Sequence, residues 1–467
     1  MNPFTLQFEP AGGPLYLQLY QFLAEEIKKG NLSCGERLPS KKSLTAHLKI
    51  SQSTVETAYE MLATEGYVRS VPRSGFYVCE LEQLETAAQP ALPAEENPGE
   101  EPPAPPCRFD FRTNAVDTSV FPYATWAKLS KETIYQNPEL LNPGHRQGDL
   151  CLREALAKYL HEFRGVNCQP GQIVIGAGIE YLIGLIAQLL NGSVFALENP
   201  GYRRLYRILK NNGRDTRLLP LDGSGMIPGD LEDSGADAAY ITPSHQVPTG
   251  VTMPIGRRMQ LLAWARRREG RYLIEDDFDS EFRFQGRPIP SLQGTDRGGR
   301  VIYLSTFSKS VAPSIRIAYM VLPPALLERY RRDFGGYSST VSRFEQHTLA
   351  KFISAGYFSR HVGRTRLIYR QRRDVLTDAL EHTGVPMEII GETAGLHLLL
   401  RVKNGMGERE LVERAGEAGV RVYGMSQYYL DGSAPDSSTV VAGYAGLRDG
   451  EIREAAELLK KAWTKRG

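Results

Sequence analysis

Residues 80–107 read ELEQLETAAQPALPAEENPGEEPPAPPC, a stretch crowded with Pro, Ala and Glu and without a single aromatic residue. Such a segment buries too little apolar surface to offset its conformational entropy, and its like charges hold it open. It cannot belong to a core. The chain is therefore expected to fold as two units, 1–79 and 109–467, with 80–108 as a tether. At roughly 150 residues per domain as a soft prior, 467 residues leave room for this division. The formal net charge is only +2, so any nucleic-acid surface has to be a local patch.

In the first unit, Leu15, Leu19, Phe22, Leu23 and Ile27 recur at the spacing of one helix face, and Lys28, Lys29 and Gly30 close it. Pro39 and Ser40 open a short helix with Leu44, Ala46 and Leu48. Ser51 opens another, with Val55, Ala58, Tyr59 and Leu62 directed inward and Gly66 at its end. Residues 67–71 and 75–78 alternate like two short strands, and Pro72 to Gly75 form the turn. Helix, helix, helix, hairpin is the order of an α+β winged helix-turn-helix. A DNA reader needs short polar side chains at the start of its recognition helix, where they reach base edges in the major groove. Ser51, Gln52, Ser53 and Thr54 supply them, and Gln52 suits bidentate pairing with adenine. Lys41, Lys42, Arg69 and Arg73 are the expected phosphate contacts, while Glu56, Glu60 and Glu65 keep the unit only weakly basic.

Residues 38–78 resemble the reader head of the GntR superfamily along nearly their whole length. The Leu-Pro-Ser turn, the Thr54-Val55 start and the Glu65-Gly66-Tyr67 exit into the wing carry the likeness. Lys42 and Gln52 depart from the arginines common there. Lysine offers a point charge without a fork, so the base sequence read is expected to differ.

In the second unit short apolar runs (173–175, 194–197, 238–242, 272–274, 301–304) alternate with amphipathic helical stretches such as 179–190 and 202–210. This is the pattern of an α/β fold with a mainly parallel central sheet. Directly after one run stands Ser305-Thr306-Phe307-Ser308-Lys309-Ser310. A lysine at a strand end can form a Schiff base with an aldehyde while hydroxyls such as Thr306 and Ser308 bind phosphate, and Arg316 can pair with the same phosphate. Another strand ends in Glu275-Asp276-Asp277, and one carboxylate, assigned to Asp276, can keep a pyridine nitrogen protonated so that the ring acts as an electron sink. In Gly176-Ala177-Gly178-Ile179-Glu180, the backbone N–H groups around Gly178 and Ile179 and the following helix dipole suit a phosphate. Tyr202 can stack on a ring face. These are the groups that pyridoxal 5'-phosphate (PLP) needs: an amine for its aldehyde, donors for its phosphate and a carboxylate for its ring nitrogen.

In this order the motifs resemble a fold-type I aminotransferase. With the head attached, the chain resembles the MocR/GabR family of regulators, most tellingly in EDDFDSEF, TFSKS and NPGYRRLY. The resemblance implies Lys309 as the Schiff-base lysine, Asp276 at the ring nitrogen, Arg316, Thr306 and Ser308 at the phosphate, and Tyr202 near the ring. It implies Arg204, with Arg203 beside it, as a clamp for an effector carboxylate. It also implies a head-to-tail homodimer. Three departures stand out. Val247 replaces the usual Asn before Pro-Thr-Gly, Phe278 the usual Tyr, and Val440 and Val441 stand where a substrate-binding arginine is expected. The Asn and Tyr replaced by Val247 and Phe278 would otherwise lower the imine pKa, so efficient turnover is not expected.

The expected function is transcription regulation: a small amino compound, or PLP itself, binds the large domain and changes the grip of the heads on operator DNA. The alternatives are a working aminotransferase with an appended regulatory head, or a scaffold that has lost its cofactor. Intact Lys309, Asp276 and Arg316 argue against the scaffold. The five cysteines are scattered and form no Cys-x-x-Cys pair, and neither a leader pattern nor a membrane-length apolar run is seen, so a cytoplasmic location is expected.

Overall fold

A computed structural model describes residues 6, 8, 13–80, 107–286, 289–435 and 437–464. Most of the tether expected over 80–108 lies outside the described residues. The others fall into two compact units, one within 1–104 and one within 105–467.

The first unit has helices Leu15–Lys28, Lys41–Leu48 and Gln52–Thr64, followed by strands Val68–Val71 and Gly75–Val78. Both short helices start where the sequence places their caps. Ser40 Oγ accepts from the Ser43 N–H, and Ser51 Oγ accepts from the Thr54 N–H, each at 3.1 Å. Such caps satisfy donors that no helix can pair internally. Val55, Ala58, Tyr59 and Leu62 are fully buried, packed with Leu19, Leu23, Ile27 and Leu44. The strands pair antiparallel, Val68 opposite Val78 and Val71 opposite Gly75. This is the expected winged helix-turn-helix.

Among the described residues of the second unit, seven strands form one sheet in the order Ile173–Gly176, Ala318–Val321, Val301–Thr306, Tyr272–Asp276, Ala238–Ile241, Phe195–Glu198, Thr216–Leu219. Ala318–Val321 runs antiparallel to both neighbours and the remaining pairs are parallel. Both faces of Val301–Thr306 are covered. Ile302 and Leu304 pack toward helix Ile179–Leu189, and Tyr303 toward helices Leu150–Arg164 and Arg343–Ser354. Burial on both faces is why the parallel strands read as continuous apolar runs. The sequence pattern did not reveal a second sheet, Met387–Ile390, His397–Val402, Thr439–Gly443 and Tyr423–Gly424, which is antiparallel throughout. No helix among the described residues is long and apolar enough to cross a membrane.

Candidate functional site

The carboxyl ends of four parallel strands, Phe195–Glu198, Ala238–Ile241, Tyr272–Asp276 and Val301–Thr306, open into one cavity of about 550 Å³. The crevice beyond strand ends is the usual ligand position in open α/β sheets, and this volume suits a small organic ligand. Lys309, Asp276, Tyr202, Arg316, Thr306, Ser308, Ile179 and Arg204 all line it. Arg203 is exposed and does not belong to the lining.

Lys309 Nζ donates to the Thr113 carbonyl at 2.6 Å. Burial lowers the pKa of its amine to about 8, with Asp279 pulling weakly the other way. A substantial neutral fraction near neutral pH is what a nucleophilic amine requires.

The three carboxylates at the strand end separate cleanly. Glu275 accepts the N–H groups of Leu292 and Gln293 at 2.7 and 2.8 Å. Asp277 is paired with Arg164 at 2.7 Å and accepts from the Tyr303 hydroxyl at 2.6 Å. Asp276 receives the Tyr240 hydroxyl on Oδ2, while its buried Oδ1 has no partner. Burial, partly opposed by Tyr240 and reinforced by Asp277 and Asp279, raises its pKa to about 8. Oδ1 thus has no partner among the described residues, and a buried polar oxygen left unpaired is costly.

At the other end of the cavity, Arg316 stands in the left-handed region with φ 50° after a short 3-10 turn, Pro313–Ile315. The Oγ1 of Thr306 and the Oγ of Ser308 lie 3.0 Å apart. Gly178, with φ 93°, has no room for a side chain, because a Cβ there would come within 2.2 Å of Arg316 Nη2. The glycine is what lets the guanidinium reach the start of helix Ile179–Leu189. The backbone cradle itself differs from expectation. The Ala177 N–H already donates to Thr340 Oγ1 and the Gly178 N–H to the Gly176 carbonyl. The donors left for an anion are those of the helix's first turn, which no side chain caps.

Sequence reasoning missed several lining residues. Glu198 is buried, accepts from Thr242 and Gln246, and is pushed up to about 7 by burial. Tyr240, Thr113 and His397 also line the cavity. No linear motif marks them, because strand register and chain crossings bring them in. Phe278 and Val247 line the cavity too, so the departures noted in the sequence present carbon to it. Val440 and Val441 are fully buried in strand Thr439–Gly443 and are not in the lining.

In the head, Gln52 and Ser53 are exposed at the start of their helix and Thr54 is half-buried. Ser51 is engaged in capping, with its oxygen 2.8 Å from both the Ser53 and Thr54 hydroxyls. The Lys41 ammonium pairs with Glu56 on the next helix and sits 5.6 Å from the Phe76 ring. Lys42, Arg69 and Arg73 are exposed. Replacing Gln52 with Ala is expected to relax base preference at one operator position by about 1–3 kcal/mol. A panel of single-base operator variants measures this, and unchanged discrimination removes Gln52 as a base reader.

Residues 109–459 match the family model described as aminotransferase class I and II, and residues 15–78 match bacterial regulatory proteins, gntR family. The chain is 40% identical over 459 residues to the uncharacterized HTH-type transcriptional regulator YdeL of Bacillus subtilis (strain 168), covering 96% of this chain and 97% of that one. It is 32% identical to the probable rhizopine catabolism regulatory protein MocR of Rhizobium meliloti, covering 96% and 94%. Among solved structures, a multiple substrate aminotransferase from Thermococcus profundus is similar at 26% identity and a TM-score of 0.68, covering 76% of this chain and 91% of that chain.

Proposed function

The chain belongs to the MocR-type GntR-family transcription regulators, in which a DNA-reading head is fused to a class I and II aminotransferase domain, and from that premise we propose that it is a PLP-binding regulator whose large domain senses a small amino compound. The observation that carries this is the placement of Lys309, Asp276 and Arg316 around one cavity, with a buried Asp276 oxygen lacking a partner. The donor set suits PLP. The unpartnered Asp276 Oδ1 would accept a ring N–H. Arg316, the Thr306 and Ser308 hydroxyls and the first turn of helix Ile179–Leu189 would hold the phosphate. Lys309 would bind the aldehyde carbon. When bound, PLP supplies a reactive aldehyde and an electron-sink ring. Tyr202 would lie against that ring.

Arg204 offers a planar fork at the cavity wall and is assigned to the effector's carboxylate. Arg203, exposed on the same helix, would serve at most as an outer contact. Phe278 and Val247 give no hydrogen bond where a turnover enzyme needs one, which favours sensing over catalysis. Effector binding would shift the population of a head-to-tail homodimer between arrangements with different affinity for operator DNA. Sustained transamination at about 1–10³ s⁻¹ would instead favour a working enzyme.

Arg204→Ala is expected to retain PLP and to weaken effector binding by tenfold or more, the loss of a charge-assisted bidentate contact. A titration with a panel of amino acids, read through cofactor absorbance and DNA binding, checks it. A normal dose-response in this variant removes Arg204 from the effector site.

A further inference from the structure

Glu180 has no role in the scheme above, yet it touches both arginines that the scheme uses. Its Oε2 lies 2.5 Å from Arg316 Nη2 and its Oε1 lies 3.2 Å from Arg204 Nη1. Burial would raise the pKa of this carboxyl, but the two guanidinium groups, Arg316 foremost, hold it below the usual range, so it is ionised at neutral pH.

The other cations in the lining are already committed. Arg112 is forked onto Asp110 through Nε at 3.0 Å and Nη2 at 2.6 Å. In the PLP-loaded protein Lys309 would hold the aldehyde carbon, so its amine is not offered to a carboxylate. Arg316 is the phosphate partner. The positive charge remaining for a ligand carboxylate is that of Arg204, and Glu180 shares it. Toward the strand ends the lining also holds two carboxyl groups, Glu198 and Asp276.

We propose that Glu180 is a specificity-determining residue, which makes the cavity accept amino compounds with a single carboxylate and turn away dicarboxylates. This rests on the assignment of Arg204 as the carboxylate clamp. A first carboxylate can take the open face of the Arg204 fork. A second finds, among the described lining residues, no arginine without an acidic partner and lies near the Glu180 carboxylate. Two like charges about 6 Å apart at an effective dielectric near 40 repel by about tenfold in affinity. Arg204 and Arg316 are both at least half exposed, so solvent screening keeps the effect at this modest size.

The test uses β-alanine and aspartate, which differ by one carboxylate, titrated by calorimetry into full-length, PLP-loaded wild type, Glu180→Gln and Arg204→Ala. In Glu180→Gln, aspartate is expected to gain about tenfold in affinity relative to β-alanine. Glu180→Ser, which also removes the charge, is expected to move the same ratio in the same direction, so a folding defect in one variant does not decide the outcome. If aspartate gains no more than β-alanine, including no gain for either, the proposal is overturned. Arg204→Ala separates this failure from that of the underlying assignment. Undiminished β-alanine binding there means that Arg204 is not the clamp, whatever Glu180 does.

Discussion

Lys309→Ala is expected to abolish covalent retention of PLP while leaving the head and its DNA affinity intact. The pKa of the Lys309 amine, lowered by burial to about 8, leaves roughly one-tenth of the side chain neutral at pH 7, against about one part in a few thousand for an ordinary lysine. Only the neutral amine attacks an aldehyde. The rate of PLP capture should therefore rise nearly tenfold per pH unit below about 8 and level off above it. Mixing PLP with the protein and following visible absorbance gives this profile. Borohydride reduction and mass analysis of the peptides then show whether residue 309 carries the label. The alanine variant should show neither the absorbance nor the label. Equal labelling of the variant, or a rate still climbing steeply above pH 9, would mean that another amine does the work. The substitution also deletes the hydrogen bond to the Thr113 carbonyl. A calorimetric transition of the large domain like that of wild type therefore serves as the folding control of the variant.

Tyr59→Ala should unfold the head. Tyr59 is fully buried, meets Phe76 edge-to-face at 5.0 Å, and donates its hydroxyl to the Pro39 carbonyl at 2.9 Å. The hydrogen bond fastens the turn that starts the second helix to the middle of the third. Removing a buried aromatic ring costs about 3–5 kcal/mol. A unit this small rarely holds more than about 3–5 kcal/mol in its core. The loss is therefore comparable to the whole stability of the head. Operator binding should fall to the non-specific level, and scanning calorimetry should lose the head's transition while the large domain keeps its own. Glu60→Ala, on the exposed side of the same helix, should change stability by less than about 0.5 kcal/mol. Full operator affinity in Tyr59→Ala would show that the winged helix does not depend on this core for reading DNA.

The fold was largely legible because its signals are local. Caps at Ser40 and Ser51, inward residues at Val55, Ala58, Tyr59 and Leu62, and a hairpin turn between Pro72 and Gly75 each need only a short window of sequence. The buried parallel strands were legible as apolar runs. What escaped has a common cause. Ala318–Val321 is as apolar as its parallel neighbours, and composition does not encode strand direction. The pairing of Lys41 with Glu56 joins residues on two helices, which no single window of sequence shows. The site shows the same division. The strand-end lysine and carboxylates were visible as motifs. The choice of Asp276 over Glu275 and Asp277 gains a physical basis only from their partners, because two are saturated and one is not. The pairing of Tyr240 with Asp276 comes from strand register, and the bridge of Glu180 between Arg204 and Arg316 joins three segments that no motif connects.

An amino compound is proposed to act on DNA binding through the PLP cavity. This is tested most directly with an operator selected from random DNA by the full-length, PLP-loaded protein. Operator affinity is then measured with and without a panel of small amino acids, for wild type and Lys309→Ala side by side. At least one compound is expected to shift wild-type affinity several-fold and to leave Lys309→Ala unmoved. An equal shift in both proteins, or no shift in wild type with any amine or with PLP itself, would contradict this mode of action.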